Sequence, residues 1–361
     1  MARTRTLVVV AVAVLVGAAL ALVAVRLLGG DEAEERAERA RSAGATFDDA
    51  VVLAPDDAQR VLWTDWGGIR EEVGVDLDAS SSVDEVQDLL DRGFDAELTA
   101  LTALDSSSST MQESFGFSPA TLEWELFTQS ERAATLTMRL GGGVSTDDVA
   151  SALRALGYDE PASPGGTWQS NTDLAISGQV TPELSYIALD AGPGLVFASD
   201  RPEGVAVAVD AAAEASSEPV ASELVSRLGT PLTAAAYDAT YACSALAMAN
   251  ADADEQAQGE SLVAAAGEVN PLTGFGIGAG DDGSVRVALG FENAEQARTN
   301  ADTRARLAVG PAPGQGGDFT DRFSVDEVTA EGDVVVMALE PVDGSFVVSD
   351  LSNGPVLFAT C

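Results

Sequence analysis

Between Leu7 and Val25 the chain runs nineteen residues without a charged side chain, and Leu27 and Leu28 extend the run past Arg26. A stretch of this kind is not stable as a solvated helix and must be covered by lipid or protein. At about 1.5 Å of rise per residue, residues 7–28 span roughly 33 Å, enough to cross a bilayer core of about 30 Å. Arg3 and Arg5 precede the run, and Asp31, Glu32, Glu34 and Glu35 follow it, a polarity that places the N-terminus inside. The expectation is a cytoplasmic tail at 1–6, a single-pass transmembrane helix at 7–28 anchored in the cell membrane, and an extracytoplasmic remainder in the cell envelope. The competing reading is a cleaved signal peptide. Its small-residue sites, Ala11-Val12-Ala13 and Ala19-Leu20-Ala21, fall inside the run, which exceeds the usual apolar core of about 7–15 residues.

The remaining chemistry is bounded by what is missing. Among 361 residues there is no histidine and no lysine, so all 19 basic residues are arginine, against 58 Asp and Glu and a net charge of −39. That excludes a Ser-His-Asp triad, an HExxH zinc site, a Schiff-base lysine and a P-loop lysine. A polyanion of this size is repelled by phosphate backbones, so nucleic acid is excluded as a partner. The acidic surface also reads simply as a self-repelling coat that maintains solubility.

Cys243 and Cys361 are the only cysteines. Outside the cytoplasm an isolated pair reads as a disulfide, and CxxC spacing for a redox or metal role is absent.

After the apolar run, DEAEERAERARSAGAT (31–46) has almost no large apolar residue and carries opposite charges at helical spacing. It reads as a solvated stalk, with 29–46 a linker and folded sequence starting near Phe47. The expected fold class is α+β, as two mixed lobes of antiparallel hairpins and helices, 47–210 and 211–361. In the first, a strand at Arg60–Trp63 precedes a helix capped by Asp65. Ser82 with Glu85 opens a second helix that ends at Gly93, and Asp95–Leu104 reads as a third. A hairpin follows at Thr121–Gln129 and Ala133–Leu140, then a helix opened by Ser145 with Asp148. The second half repeats this order: a strand at Ala234–Tyr241, a helix between Asp254 and Gly267, the hairpin Gly274–Gly280 with Ser284–Phe291, a helix at Glu292–Val309, and strands at Phe323–Val328 and Asp333–Leu339. The boundary would lie in Asp210–Ser222, which is small and polar.

Four constellations merit weighing. Gly278-Ala279-Gly280-Asp281-Asp282-Gly283 matches GxGxxG but runs into an alternating strand pattern rather than a helix, so it reads as a turn. Asn250–Asp254 resembles half of a calcium loop, yet Glu255 and Ser261 occupy the positions that need Gly and Glu. Glu123 and Glu125 flank Trp124 on a strand, where alternation puts both carboxylates on one face at a separation suited to glycoside hydrolysis. Trp63, Asp65 and Trp66, joined by Trp168, form a candidate ligand surface for a sugar or peptide, against the simpler reading of Asp65 as a helix cap and the rings as core. No catalytic, cofactor-binding or metal-binding residue is assigned, and no cofactor is implied. The functional expectation is a membrane-anchored, non-catalytic module that binds an envelope protein or polymer or assists envelope assembly. The alternative is a carboxylate-dependent hydrolase of cell-envelope glycan.

Overall fold

The computed structural model describes residues 32–42, 44–171, 178–216, 219 and 221–361; the expected tail and anchor at 1–28 lie outside them. Among the described residues no helix is long and apolar enough to cross a membrane.

Among the described residues eleven strands form one sheet whose every pairing is antiparallel. In chain order they are β1 (Arg60–Thr64), β2 (Leu122–Gln129), β3 (Ala134–Leu140), β4 (Trp168–Gln169), β5 (Tyr186–Asp190), β6 (Leu195–Ser199), β7 (Thr233–Asp238), β8 (Gly274–Ala279), β9 (Val285–Gly290), β10 (Phe323–Glu331) and β11 (Val334–Pro341). Across the sheet the order is β10-β11-β9-β8-β7-β1-β2-β3-β6-β5-β4. Read outward from the central pair, β1-β2-β3-β6-β5 on one side matches β7-β8-β9-β11-β10 on the other. The two halves therefore join along β1 and β7, with Leu62 opposite Ala235, inside one continuous sheet.

Alternation along the strands builds a core on each face. Leu62, Phe127, Leu136, Tyr237, Phe275 and Val287 pack on one face beneath the helices Trp66–Glu72, Val83–Asp95, Thr146–Leu156 and Ala294–Leu307. Trp63, Trp124, Leu126, Ala236 and Phe197 pack on the other, beneath the helix Pro202–Glu214 and the N-terminal elements. The capping boxes read from sequence are present: Ser82 with Glu85 and Ser145 with Asp148 each open their helix reciprocally.

Three expectations change. Residues 32–40 are helical and do not project as a stalk. Ala37 and Ala40 are fully buried, Trp124 Nε1 donates to the carbonyl of Ala40 at 3.2 Å, and Arg36 and Arg39 pair with Asp48 and Asp49. Alanines supply the contact because they let the helix approach closely, so a segment lacking large apolar residues still docks. The helix read at 95–104 does not form. The preceding helix ends at Asp95, Glu97 takes φ +59°, and the amides of Leu98 and Thr99 donate back to Gly93 O. Finally, the start of the expected boundary at 210–222 belongs to the helix Pro202–Glu214. Its sequence, PEGVAVAVD, alternates like a strand, and only Pro202 in the first turn signals a helix start.

Candidate functional site

β1 runs directly into the helix Trp66–Glu72 through Asp65, which caps it by accepting from Gly68 N at 2.8 Å. This junction sends the two tryptophans to opposite faces of the sheet. Trp63 lies between Phe47 and Trp124, with ring centroids 6.0 and 5.6 Å away, and its Nε1 donates to Pro231 O. Trp66 lies in the other core, and both rings are fully buried. Trp168 sits on β4 at the far edge, 5% exposed, with the Arg154 guanidinium 5.3 Å above its ring. The structure brings Trp63, Asp65 and Trp66 together in sequence only, and four strands separate β1 from the strand of Trp168. They form no shared, open aromatic surface.

Glu125 is the most unusual ionisable group in this region. It is 1% exposed, and its carboxylate accepts from Trp66 Nε1 at 3.1 Å, Thr102 Oγ1 at 2.7 Å and the Ala103 amide at 2.8 Å. Burial pushes its pKa up to about 7, against the three donors, which favour the ionised form. The carboxylate thus ties β2 to the 66–72 helix and to the loop after Thr99. All its contacts are internal, and none leaves it facing a cleft.

Glu123 does not share that position. The β2–β3 register shifts between Leu122 and Trp124, so strict alternation fails there, and Leu122 and Phe127 enter the same core although five residues apart. Glu123 points instead at the turn after β3. A Cβ on Gly141 would fall 2.0 Å from Glu123 Oε1, so a larger residue there would require the glutamate side chain to move aside. Arg70, half-buried nearby, donates to the carbonyls of Pro119 and Leu122 and feels the charges of Glu123 and Asp65.

The remaining sequence candidates resolve into local structure. The 278–283 segment is the β8–β9 turn, where Asp282 accepts from Ser284 N and Oγ. Asp252 and Glu255 form the capping box of the helix Ala253–Ala266. Among the described residues no group of three or more Asp, Glu or Cys is placed to hold a metal. Cys243 and Cys361 are joined in a disulfide, with Cα atoms 5.7 Å apart.

Two further polar anchors were not visible in the sequence, since nothing local marks them. Glu97 reaches the opposite half of the chain, and Arg304 is fully buried with no carboxylate paired to it among the described residues. Its guanidinium donates to the carbonyls of Phe358, Thr360 and Asn270 and to Asn300 Oδ1. An open groove of about 1340 Å³ lies between Pro55–Asp57 and the helix Pro202–Glu214. It carries Asp56, Asp210 and Glu214, and Arg132 reaches Asp57 across it at 2.7 Å, holding that carboxyl below its usual range.

No family model and no curated protein matches the chain. Among solved structures it is similar to crystal form I of TP0453, at TM-score 0.39 and 10% identity over 86% of this chain and 98% of that one. Crystal form III of the same protein matches at TM-score 0.37 and 9% identity, over 84% and 97%. Likeness at this distance carries no argument about role.

Proposed function

We propose that this chain is a membrane-anchored, extracytoplasmic binding or assembly module of the cell envelope, without catalytic activity of its own. One observation carries the reading: the carboxylate best suited to acid–base work, Glu125, is sealed in the core and spent on fastening Trp66, Thr102 and Ala103. Its raised pKa follows from burial and comes with no access for a substrate, so the acid-and-tryptophan signature of a glycan hydrolase is architectural here. The uncharged run at 7–28 supports the anchor. The docked helix at 32–40 would then hold the folded body close to the bilayer, with only residues 29–31 between them.

The test is cross-linking of the full-length protein in its native membrane. Because lysine is absent, carboxylate-directed reagents are required, and the 58 acids supply their sites. A reproducible envelope protein or polymer attached to residues 32–361 is the expected result. Turnover of envelope glycan by the purified chain, abolished by Glu123→Gln or Glu125→Gln, would overturn the reading in favour of the hydrolase.

A further inference from the structure

The matching halves of the sheet end differently. On one side β5 is covered by β4, with Trp168 opposite Ile187 and Gln169 opposite Tyr186. On the other side β10, the counterpart of β5, pairs among the described residues with β11 alone, and none of them forms a strand on its outer edge. The loop joining the 294–307 helix to β10 closes on itself through a bridge between Pro311 and Asp318. β10 is also nine residues long, whereas natural edge strands are usually short or covered.

The hydrogen-bond phase identifies which groups are free to pair. Phe291 N donates to Asp333 O at 2.9 Å, so the odd-numbered residues of β11 bond toward β9 and the even-numbered ones toward β10. Val334, Val336 and Ala338 stand opposite Glu331, Thr329 and Glu327, which are therefore the β10 residues bonded inward. Val328 and Ala330 aim their amide and carbonyl groups away from the sheet. The bulge between Val325 and Glu327 confines the regular edge to 327–331.

Charge selects the occupant. β10 carries Asp326, Glu327 and Glu331 with no basic residue, and Asp333 follows in the turn. Glu331 is paired with Arg227, while Asp326 and Glu327 are exposed. A second copy of β10 would set these acids against their own kind. A basic strand would not.

We infer that the outer edge of β10 at 327–331 receives an extended, basic segment of a partner protein as an added strand, in the place that β4 fills on the opposite edge. Main-chain bonds to Val328 and Ala330 supply pairing, and arginine or lysine at alternate positions complements Asp326 and Glu327. This rests on the binding-module reading and names its contact surface.

The probe is a fluorescein-labelled nine-residue peptide alternating arginine and valine, titrated into the full-length protein in detergent micelles. Wild type is expected to bind. Ala330→Pro, which deletes an outward N–H and leaves charge and inward ladder intact, should weaken binding at least tenfold with an unchanged melting temperature. Amide exchange at Val328 and Ala330 in wild type should slow at least tenfold with peptide, and this readout decides if the proline variant fails to fold. Equal binding by Ala330→Pro, or unchanged exchange at both amides, would overturn the inference and assign binding to the acidic surface at large. A dimer that peptide dissociates would also overturn it, making a second copy the occupant. Failure of the peptide alongside a cross-linked partner mapped elsewhere removes only this edge; an empty cross-linking result removes the module reading itself.

Discussion

Glu97 fastens one half of the molecule to the other: its carboxylate oxygens accept from the backbone amides of Val348 and Ser349 at 3.0 and 3.1 Å, 251 and 252 residues away. The donating amides open the helix Val347–Asn353, whose first N–H groups have no partner within the helix. Glu97 is 6% exposed and holds φ +59°, so the contact is maintained at the expense of a left-handed backbone.

Two consequences can be separated by mutation. Glu97→Ala removes both charge-assisted bonds, keeps the unfavourable φ, and should destabilise the protein by about 2–4 kcal/mol. Glu97→Gly loses the same bonds but relieves the backbone, and should recover roughly 1 kcal/mol relative to alanine. Denaturant midpoints of the two variants check the order; equal midpoints would show that the strained backbone contributes nothing.

Glu125 gives the protein a pH dependence of definite sign. Its folded pKa of about 7 lies above the ordinary glutamate value, so the folded state holds this proton more tightly than the unfolded chain. The stabilisation is complete below about pH 4.3 and is lost as pH rises toward 7, a swing on the order of 3 kcal/mol. General repulsion among the acids runs in the same direction, so the informative quantity is the difference from Glu125→Gln. Melting temperatures at pH 5 and pH 8 should fall less in that variant than in wild type. Parallel slopes would mean that Glu125 is ionised throughout the range.

Arg304 is a buried cation whose acceptors are three carbonyls and an amide oxygen, and burial lowers its pKa to about 10, leaving it charged at neutral pH. It orders Phe358 and Thr360 immediately before Cys361, so it and the disulfide fix the same segment. Arg304→Met leaves those carbonyls unpaired and should cost about 3–5 kcal/mol with the disulfide intact. Breaking the Cys243–Cys361 bond alone, across 118 residues, should cost about 4–5 kcal/mol by loop entropy. If the two act on one segment, the double variant loses less than the sum, which chemical denaturation measures directly.

What was legible in the sequence were features written over short distances. The capping boxes at Ser82 and Ser145, the helix cap at Asp65 and the hairpins β2–β3 and β8–β9 depend on residues a few positions apart, and they form much as read. Features set by what lies across the sheet were not legible. The bulge at Glu123 depends on β3, and the amides that Glu97 reaches and the C-terminal carbonyls that Arg304 reaches lie 54 to 252 residues away. The candidate surface of Trp63, Asp65, Trp66 and Trp168 failed to assemble for a related reason. Adjacent positions on a strand and the turn after it face opposite cores, and proximity in sequence says nothing of that until the sheet is known to be covered on both sides.

The helix at 32–40 is where this distinction has the largest experimental effect. Its pattern of alanine, glutamate and arginine suits a solvated stalk, on whose surface a substitution shifts stability by no more than about 0.5 kcal/mol. In the structure Ala37 has no exposed surface and packs with Ala40, Trp63 and Trp124, while Arg41 reaches back to the carbonyl of Ala212. Ala37→Glu would bury a carboxylate without a partner and should cost about 3–5 kcal/mol or expel the helix altogether. Expulsion leaves its own signature, because Arg36, Arg39 and Arg41 then become open to trypsin while the body stays folded. Limited proteolysis of full-length wild type and variant in micelles therefore reads the docking directly: slow cleavage at these arginines in wild type and rapid cleavage in Ala37→Glu. Rapid cleavage in both would return the segment to a stalk.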